Sequence, residues 1–202
     1  NFSCNRTGAV VVYKKMDDVW TQWAIIKPDS TIGNARFGHS VSLSGSTLLI
    51  GIPQSTVTGL ANAGSAELYD LSGGAPVKIY TFTAGADKAA NDRFGWSVSI
   101  DGPRIVIGAP NKDIAFSNQG AAYMFDLNLT FPLTVSSRGR LSMPSGAKDN
   151  DLFGSSVSIA KNFVLVGAPK FDKEALTDNG AALFYERSGN SWVVDTIFYG
   201  QF

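Results

Sequence analysis

Phe94-Gly95-Trp96-Ser97-Val98-Ser99-Ile100, a short turn at Asp101-Gly102-Pro103, and Arg104-Ile105-Val106-Ile107-Gly108-Ala109-Pro110 make up a unit that the chain repeats three times. The other copies open at Phe37-Gly38 and Phe153-Gly154 and close at Gly51-Ile52-Pro53 and Gly167-Ala168-Pro169. Each runs 14 positions from its Phe to its later Gly, while successive copies start 57 and 59 residues apart. A fixed internal length with variable spacing marks a repeated supersecondary unit whose length variation is confined to loops.

Within each unit the first segment alternates small polar and aliphatic residues: Ser40-Val41-Ser42-Leu43, Ser97-Val98-Ser99-Ile100 and Ser156-Val157-Ser158-Ile159. Period two predicts a strand with one apolar face and one small, tightly packed face. The second segment is continuously apolar, as Leu48-Leu49-Ile50, Ile105-Val106-Ile107 and Val164-Leu165-Val166, which predicts a strand covered on both faces. Connections as short as Gly45-Ser46, Asp101-Gly102-Pro103 and Lys161-Asn162 force an antiparallel hairpin. A third strand is expected from Gly64-Ser65-Ala66, Gly120-Ala121-Ala122 and Gly180-Ala181-Ala182, where the glycine permits close backbone approach. A fourth, more polar strand is expected around Lys78–Thr83, Leu133–Ser136 and Trp192–Ile197, its composition suiting an outer edge.

Four antiparallel strands repeated radially, the inner ones buried on both sides, make the blade of a β-propeller. The Phe-Gly and Gly-Ala-Pro pairs at 37/51, 94/108 and 153/167, with Gly120-Ala121-Ala122-Tyr123-Met124-Phe125 and Gly180-Ala181-Ala182-Leu183-Phe184-Tyr185, resemble FG-GAP repeats. Such repeats build the propeller headpiece of integrin alpha subunits and many other surface proteins. The resemblance spans essentially the whole chain and implies an all-β propeller region. It does not imply one task, because one fold hosts many functions.

The expected organisation is a single propeller region, 1–202, with an outer half-blade over 1–36 and full blades over 37–92, 93–151 and 152–202. Gly8–Tyr13 matches the third-strand pattern without a Phe-Gly hairpin before it. The intervals from Gly8 to Phe37, Gly64 to Phe94 and Gly120 to Phe153 are 29, 30 and 33 residues, so a further hairpin is expected beyond Phe202. A ring of about seven such blades needs about 400 residues. The chain starts at Asn1 with no initiator Met or signal-like segment, and the expectation is therefore a processed or partial chain that continues in sequence or pairs with a copy of itself.

The 202 residues are 44% hydrophobic and 17% charged, with 17 Lys+Arg against 17 Asp+Glu. That balance gives no electrostatic case for nucleic acid, and no apolar run approaches the roughly 20 residues of a membrane-spanning helix. A single cysteine, Cys4, cannot form an internal disulfide; it is either a buried thiol or an intermolecular bridge. Sequons at Asn1, Asn5 and Asn128 are candidate glycosylation sites and favour a secreted, extracellular or cell-surface protein.

Integrin-like members hold calcium in an acidic loop between the first two strands of a blade, which the two- or three-residue connections here are too short to form. The expectation is a calcium-free variety with no metal and no cofactor. Asp149-Asn150-Asp151 is a partial echo of such a loop, read instead as turn capping: Asp92 and Asp151 each sit two residues before the repeat's Phe, and Asn34 three before Phe37. His39 is the only histidine, zinc would require several Cys or His, and the Gly-x-Ser segments lack the second glycine of a nucleophile elbow, so no catalytic residue is assigned.

Loops after each Gly-Ala-Pro vary in sequence at nearly constant length, and variable loops on a rigid frame are where recognition sits. Asn111, Lys112, Asp113, Phe116, Phe171, Asp172, Lys173 and Glu174 combine charge with aromatics that read as exposed, making them the candidate partner-binding residues. Trp20, Trp23, Trp96 and Trp192 read as blade contacts rather than a carbohydrate platform. The function expected is a non-enzymatic extracellular structural or adhesive module that presents loops for protein or glycan recognition or self-assembles as a homo-oligomer or filament. The alternative is the propeller portion of a larger surface receptor or enzyme.

Overall fold

The computed structural model describes residues 7–29, 34–130, 132–174 and 176–200. Among these residues fourteen strands form four antiparallel sheets. A two-stranded sheet pairs β1 (Val10–Met16) with β2 (Val19–Ile26). Blade one orders β3 (Ser40–Ser44), β4 (Thr47–Ile52), β5 (Ser65–Asp70) and β6 (Val77–Phe82). Blade two orders β7 (Ser97–Asp101), β8 (Arg104–Ala109), β9 (Ala121–Asn128) and β10 (Thr134–Leu141), and blade three β11 (Ser156–Ala160), β12 (Phe163–Ala168), β13 (Ala181–Ser188) and β14 (Ser191–Tyr199). These are propeller blades, with each Phe-Gly hairpin at the inner side and the polar fourth strand at the outer edge.

Neighbouring blades meet through the inner strands. Leu49 of β4 packs with Val98 and Ile100 of β7, and Val106 of β8 packs with Val157 and Ile159 of β11. Each pair of sheets thereby shares one core, which is why the apolar alternation of β7 and the unbroken apolar run of β8 occur in the same unit. The same residue classes are uncovered at the two ends. Val41 and Leu43 of β3 are exposed, and Phe163 and Leu165 of β12 are 41% and 40% exposed, whereas Leu49 and Val106 are fully buried. The expectation that the second strand is covered on both faces thus holds for β4 and β8 and fails for β12, against which no further sheet lies among the described residues.

All four outer pairings carry a register shift, at Val12/Tyr13, Leu68/Tyr69, Ser137/Arg140 and Phe184/Tyr185. Bulges of this kind twist an outer strand and re-aim its side chains.

Candidate functional site

The regular feature of the molecule is the joint between blades, and it is built from the repeat's own residues. The backbone N–H of Phe94 donates to the Ala63 carbonyl at 3.0 Å, and that of Phe153 to the Gln119 carbonyl at 3.0 Å, so each blade's Phe pairs with the segment leading into the preceding blade's third strand. Gly64 and Gly120 hold φ of 84° and 89° there, and a Cβ on either would fall 2.1 Å from the carbonyl oxygen of Phe94 or Phe153. Only glycine fits so close an approach.

The Ser-x-Ser alternation supplies the second set of links. Ser40 Oγ donates to the Gly95 carbonyl at 3.0 Å and Ser97 Oγ to the Gly154 carbonyl at 2.8 Å. Ser42 Oγ accepts the Ile100 N–H, and Ser99 Oγ accepts the Ile159 N–H, both at 3.1 Å. The small faces of β3 and β7 are therefore the faces that grip the next blade, and the aliphatic faces of β7 and β11 pack on the previous one.

Blade three carries the gripping half of this joint on an open surface. A groove of about 620 Å³ runs past Ser156, Gly167, Asn179, Gly180, Phe198 and Tyr199. A Cβ on Gly51 or Gly108 would meet the carbonyl oxygen of the next blade's Gly95 or Gly154 at 2.1 or 2.0 Å. On Gly167 it would meet the hydroxyl of Ser156, in its own blade, at 2.3 Å.

A family model described as FG-GAP repeat matches residues 20–69, 78–125 and 142–185, well over half of the chain. The chain belongs to the FG-GAP repeat family. Each matched FG-GAP stretch ends on a third-strand aromatic, Tyr69, Phe125 or Tyr185, and begins in or just after the preceding fourth strand, so the sequence unit straddles the joint rather than coinciding with a blade. No curated protein matches the chain.

The loop residues singled out from the sequence divide in this FG-GAP frame. Asp113, Phe116 and Glu174 are exposed, while Asn111, Asp172 and Lys173 are half-buried. Lys112 and Phe171 do not fit the reading as exposed loop residues: they are 6% and 5% exposed. Both turn inward because the loop folds under the segment that precedes the repeat's Phe. Lys112 Nζ lies 3.2 Å from Asp92 Oδ2 and donates to the Asp87 carbonyl at 2.6 Å. The Phe171 ring packs at a tilt against that of Tyr199, with centroids 5.8 Å apart.

Asp92 and Asp151 occupy the capping role expected of them, accepting the backbone N–H of Ala89 at 2.6 Å and of Lys148 at 2.7 Å. Burial pushes both carboxyls above the usual carboxylate range, against the pull of those N–H donors. Asp87 behaves oppositely: burial pushes it up, but hydrogen bonds from Tyr123 and Arg140 and the charge of Lys112 outweigh that and hold it low. The left-handed backbone before each Phe recurs three times, at Asn34/Arg36, Asn91/Arg93 and Asn150/Leu152, with φ between 57° and 67°.

His39 packs at a tilt against Trp96 across the joint between blades one and two with ring centroids 4.4 Å apart, and burial with the charges of Arg36 and Arg93 lowers its pKa. Trp23 lies under Lys14 Nζ at 3.3 Å, while Trp20 is exposed. Asn128 ends β9, exposed, its Oδ1 accepting both the N–H and the hydroxyl of Thr130. Asn1, Asn5 and Cys4 lie outside the described residues. Among the described residues no group of three or more His, Cys, Asp or Glu is arranged to hold a metal ion, and no helix is long and apolar enough to cross a membrane.

Proposed function

We propose that this chain is a non-catalytic, extracellular structural module that assembles with further FG-GAP units, a second copy of itself among them, and presents the loops after each Gly-Ala-Pro for recognition. FG-GAP repeats occur in extracellular adhesion and propeller proteins, which supports the setting. The observation that carries the reading is the open face of blade three. It offers Ser156, Gly167 and Gly180, the counterparts of residues that hold the next blade at both inner joints, beside exposed Phe163 and Leu165. A repeat buries its apolar surface only against a neighbour, so such a face favours association.

Sedimentation velocity over a concentration series tests it. The average sedimentation coefficient should rise with concentration, and Ser156→Tyr, which fills the groove from an exposed position, should suppress the rise. A monodisperse monomer at every concentration would sink the proposal.

The same groove supports a second reading, in which these blades belong to a larger surface receptor or enzyme and further repeats of one polypeptide occupy the face. The full-length reading frame separates the two: more FG-GAP copies alone favour the first, an appended catalytic domain the second.

A further inference from the structure

At the hairpin-turn end of the molecule, away from the groove, three guanidinium groups converge where blade three leans on blade two. Arg104 opens β8, and its Nη1 donates to the Lys161 carbonyl of blade three at 2.9 Å. Its Nε is buried and meets no acceptor among the described residues. Arg138 sits in the bulge between Ser137 and Arg140, beside Gly139 at φ 91°, and the bulge aims its Nε at Asp126 Oδ2, 2.8 Å away. Arg187 of β13 crosses from blade three to the same oxygen, with Nη2 at 3.3 Å, and its Nε donates to the Gly189 carbonyl at 2.8 Å.

These three cations and the single carboxylate of Asp126 line a pocket of about 240 Å³, with Thr134 and Ser136 adding hydroxyls. The Arg138 and Arg187 side chains are 28% and 20% exposed, so their charges are only partly screened by solvent. One carboxylate oxygen shared by two guanidiniums leaves donors over, and the third guanidinium has an N–H with no acceptor. Guanidinium forks match oxyanions in shape and charge, and they are strongest where partly desolvated. Like charges gathered around one acid are unfavourable unless a further anion joins them.

We propose that this pocket is a binding site for a tetrahedral oxyanion, a sulfate or phosphate group, held by Arg104, Arg138 and Arg187. The counterparts of Arg104 in the other blades are Thr47 and Phe163, so the site belongs to the junction of blades two and three and not to the repeat as such. Asp126 positions Arg138 and Arg187 rather than competing for the anion, since both bonds converge on its Oδ2.

The test is a titration of the whole chain with inorganic sulfate and, separately, phosphate, against chloride at matched ionic strength. It is read by the arginine Nε–H resonances and by isothermal calorimetry. Saturable shifts of the Arg104 Nε–H signal are expected, with the tighter ion naming the class of ester the site takes. Arg138→Gln and Arg187→Gln should each weaken binding roughly tenfold, the loss of one charge-assisted contact. Arg36→Gln, remote from the pocket, should leave it unchanged. A linear, non-saturating response, an effect matched by chloride, or wild-type affinity in both the Arg138 and Arg187 variants would overturn the proposal. The wild-type titration alone decides it if a variant fails to fold.

Discussion

Between blades one and two the buried carboxylate of Asp92 faces the ammonium of Lys112; between blades two and three the buried carboxylate of Asp151 shares its joint with the ring of Phe171. Lys112 and Phe171 stand at one repeat position, each four residues beyond the Gly of its Gly-Ala-Pro. In blade one that position is Ser55, and the residue matching the two aspartates is Ala35. The three joints thus share a backbone and differ in charge: a neutral pair, an ion pair, and an acid without a cation. Asp151 Oδ1 is buried with no hydrogen-bond partner among the described residues. The difference teaches that the repeat dictates the turn cap, which Ala89 and Lys148 donate alike, and leaves the charge balance to each joint.

The glycines give the largest way to break this picture. Gly108→Ala drives a Cβ into the Gly154 carbonyl of the next blade, whereas Gly167→Ala meets only a rotatable hydroxyl. Urea unfolding should show a loss of roughly 3 kcal/mol for the first and about 1 kcal/mol for the second. Equal losses would mean that the joint is not where the glycine is required.

Lys112→Met comes next. It strands Asp92 with neither a cation nor solvent, and unfolding at neutral pH should register a loss of about 3 kcal/mol, since removing one member of a buried pair leaves an uncompensated charge. The loss should shrink in acid as Asp92 takes up a proton. A loss independent of pH would show that Lys112 acts through packing alone.

The smallest effect is the sharpest for the comparison. Asp151 holds its proton more tightly folded than unfolded, because burial outweighs the Lys148 N–H and the charges of Asp172 and Asp149 work the same way as burial. Its stabilising contribution is complete below about pH 4, the unfolded carboxyl's range, and is lost as pH rises through the raised folded value. Asp151→Asn, which keeps the cap acceptor and removes the charge, should gain on wild type as pH rises and lose that gain in acid. Urea midpoints across a pH series check it, and parallel profiles would show that Asp151 stays ionised at no cost.

Much of the frame was legible in advance. The 14-residue spacing located all three inner hairpins, the Gly-Ser-Ala and Gly-Ala-Ala starts located β5, β9 and β13, and the polar segments located the outer strands, though β10 and β14 run on to Leu141 and Tyr199. Lys112 and Phe171 were misread because charge or aromaticity in a loop suggests exposure. The signal that corrects this was present: aligning the three copies pairs Lys112 with Asp92 and Ser55 with Ala35. No such signal announces Arg104, Arg138 and Arg187, which lie on three strands in two blades and line one pocket only because a bulge and a neighbouring sheet bring Arg138 and Arg187 to the carboxylate of Asp126 beside Arg104.

The sequence by itself determined the strands, the hairpins and the repeat, because side-chain alternation and turn length act over a few neighbouring residues. Only the tertiary structure decided which apolar faces are covered, which acid has a cation and where three arginines gather. Desolvation and pairing depend on groups brought in from another blade, some 20 to 60 residues away along the chain.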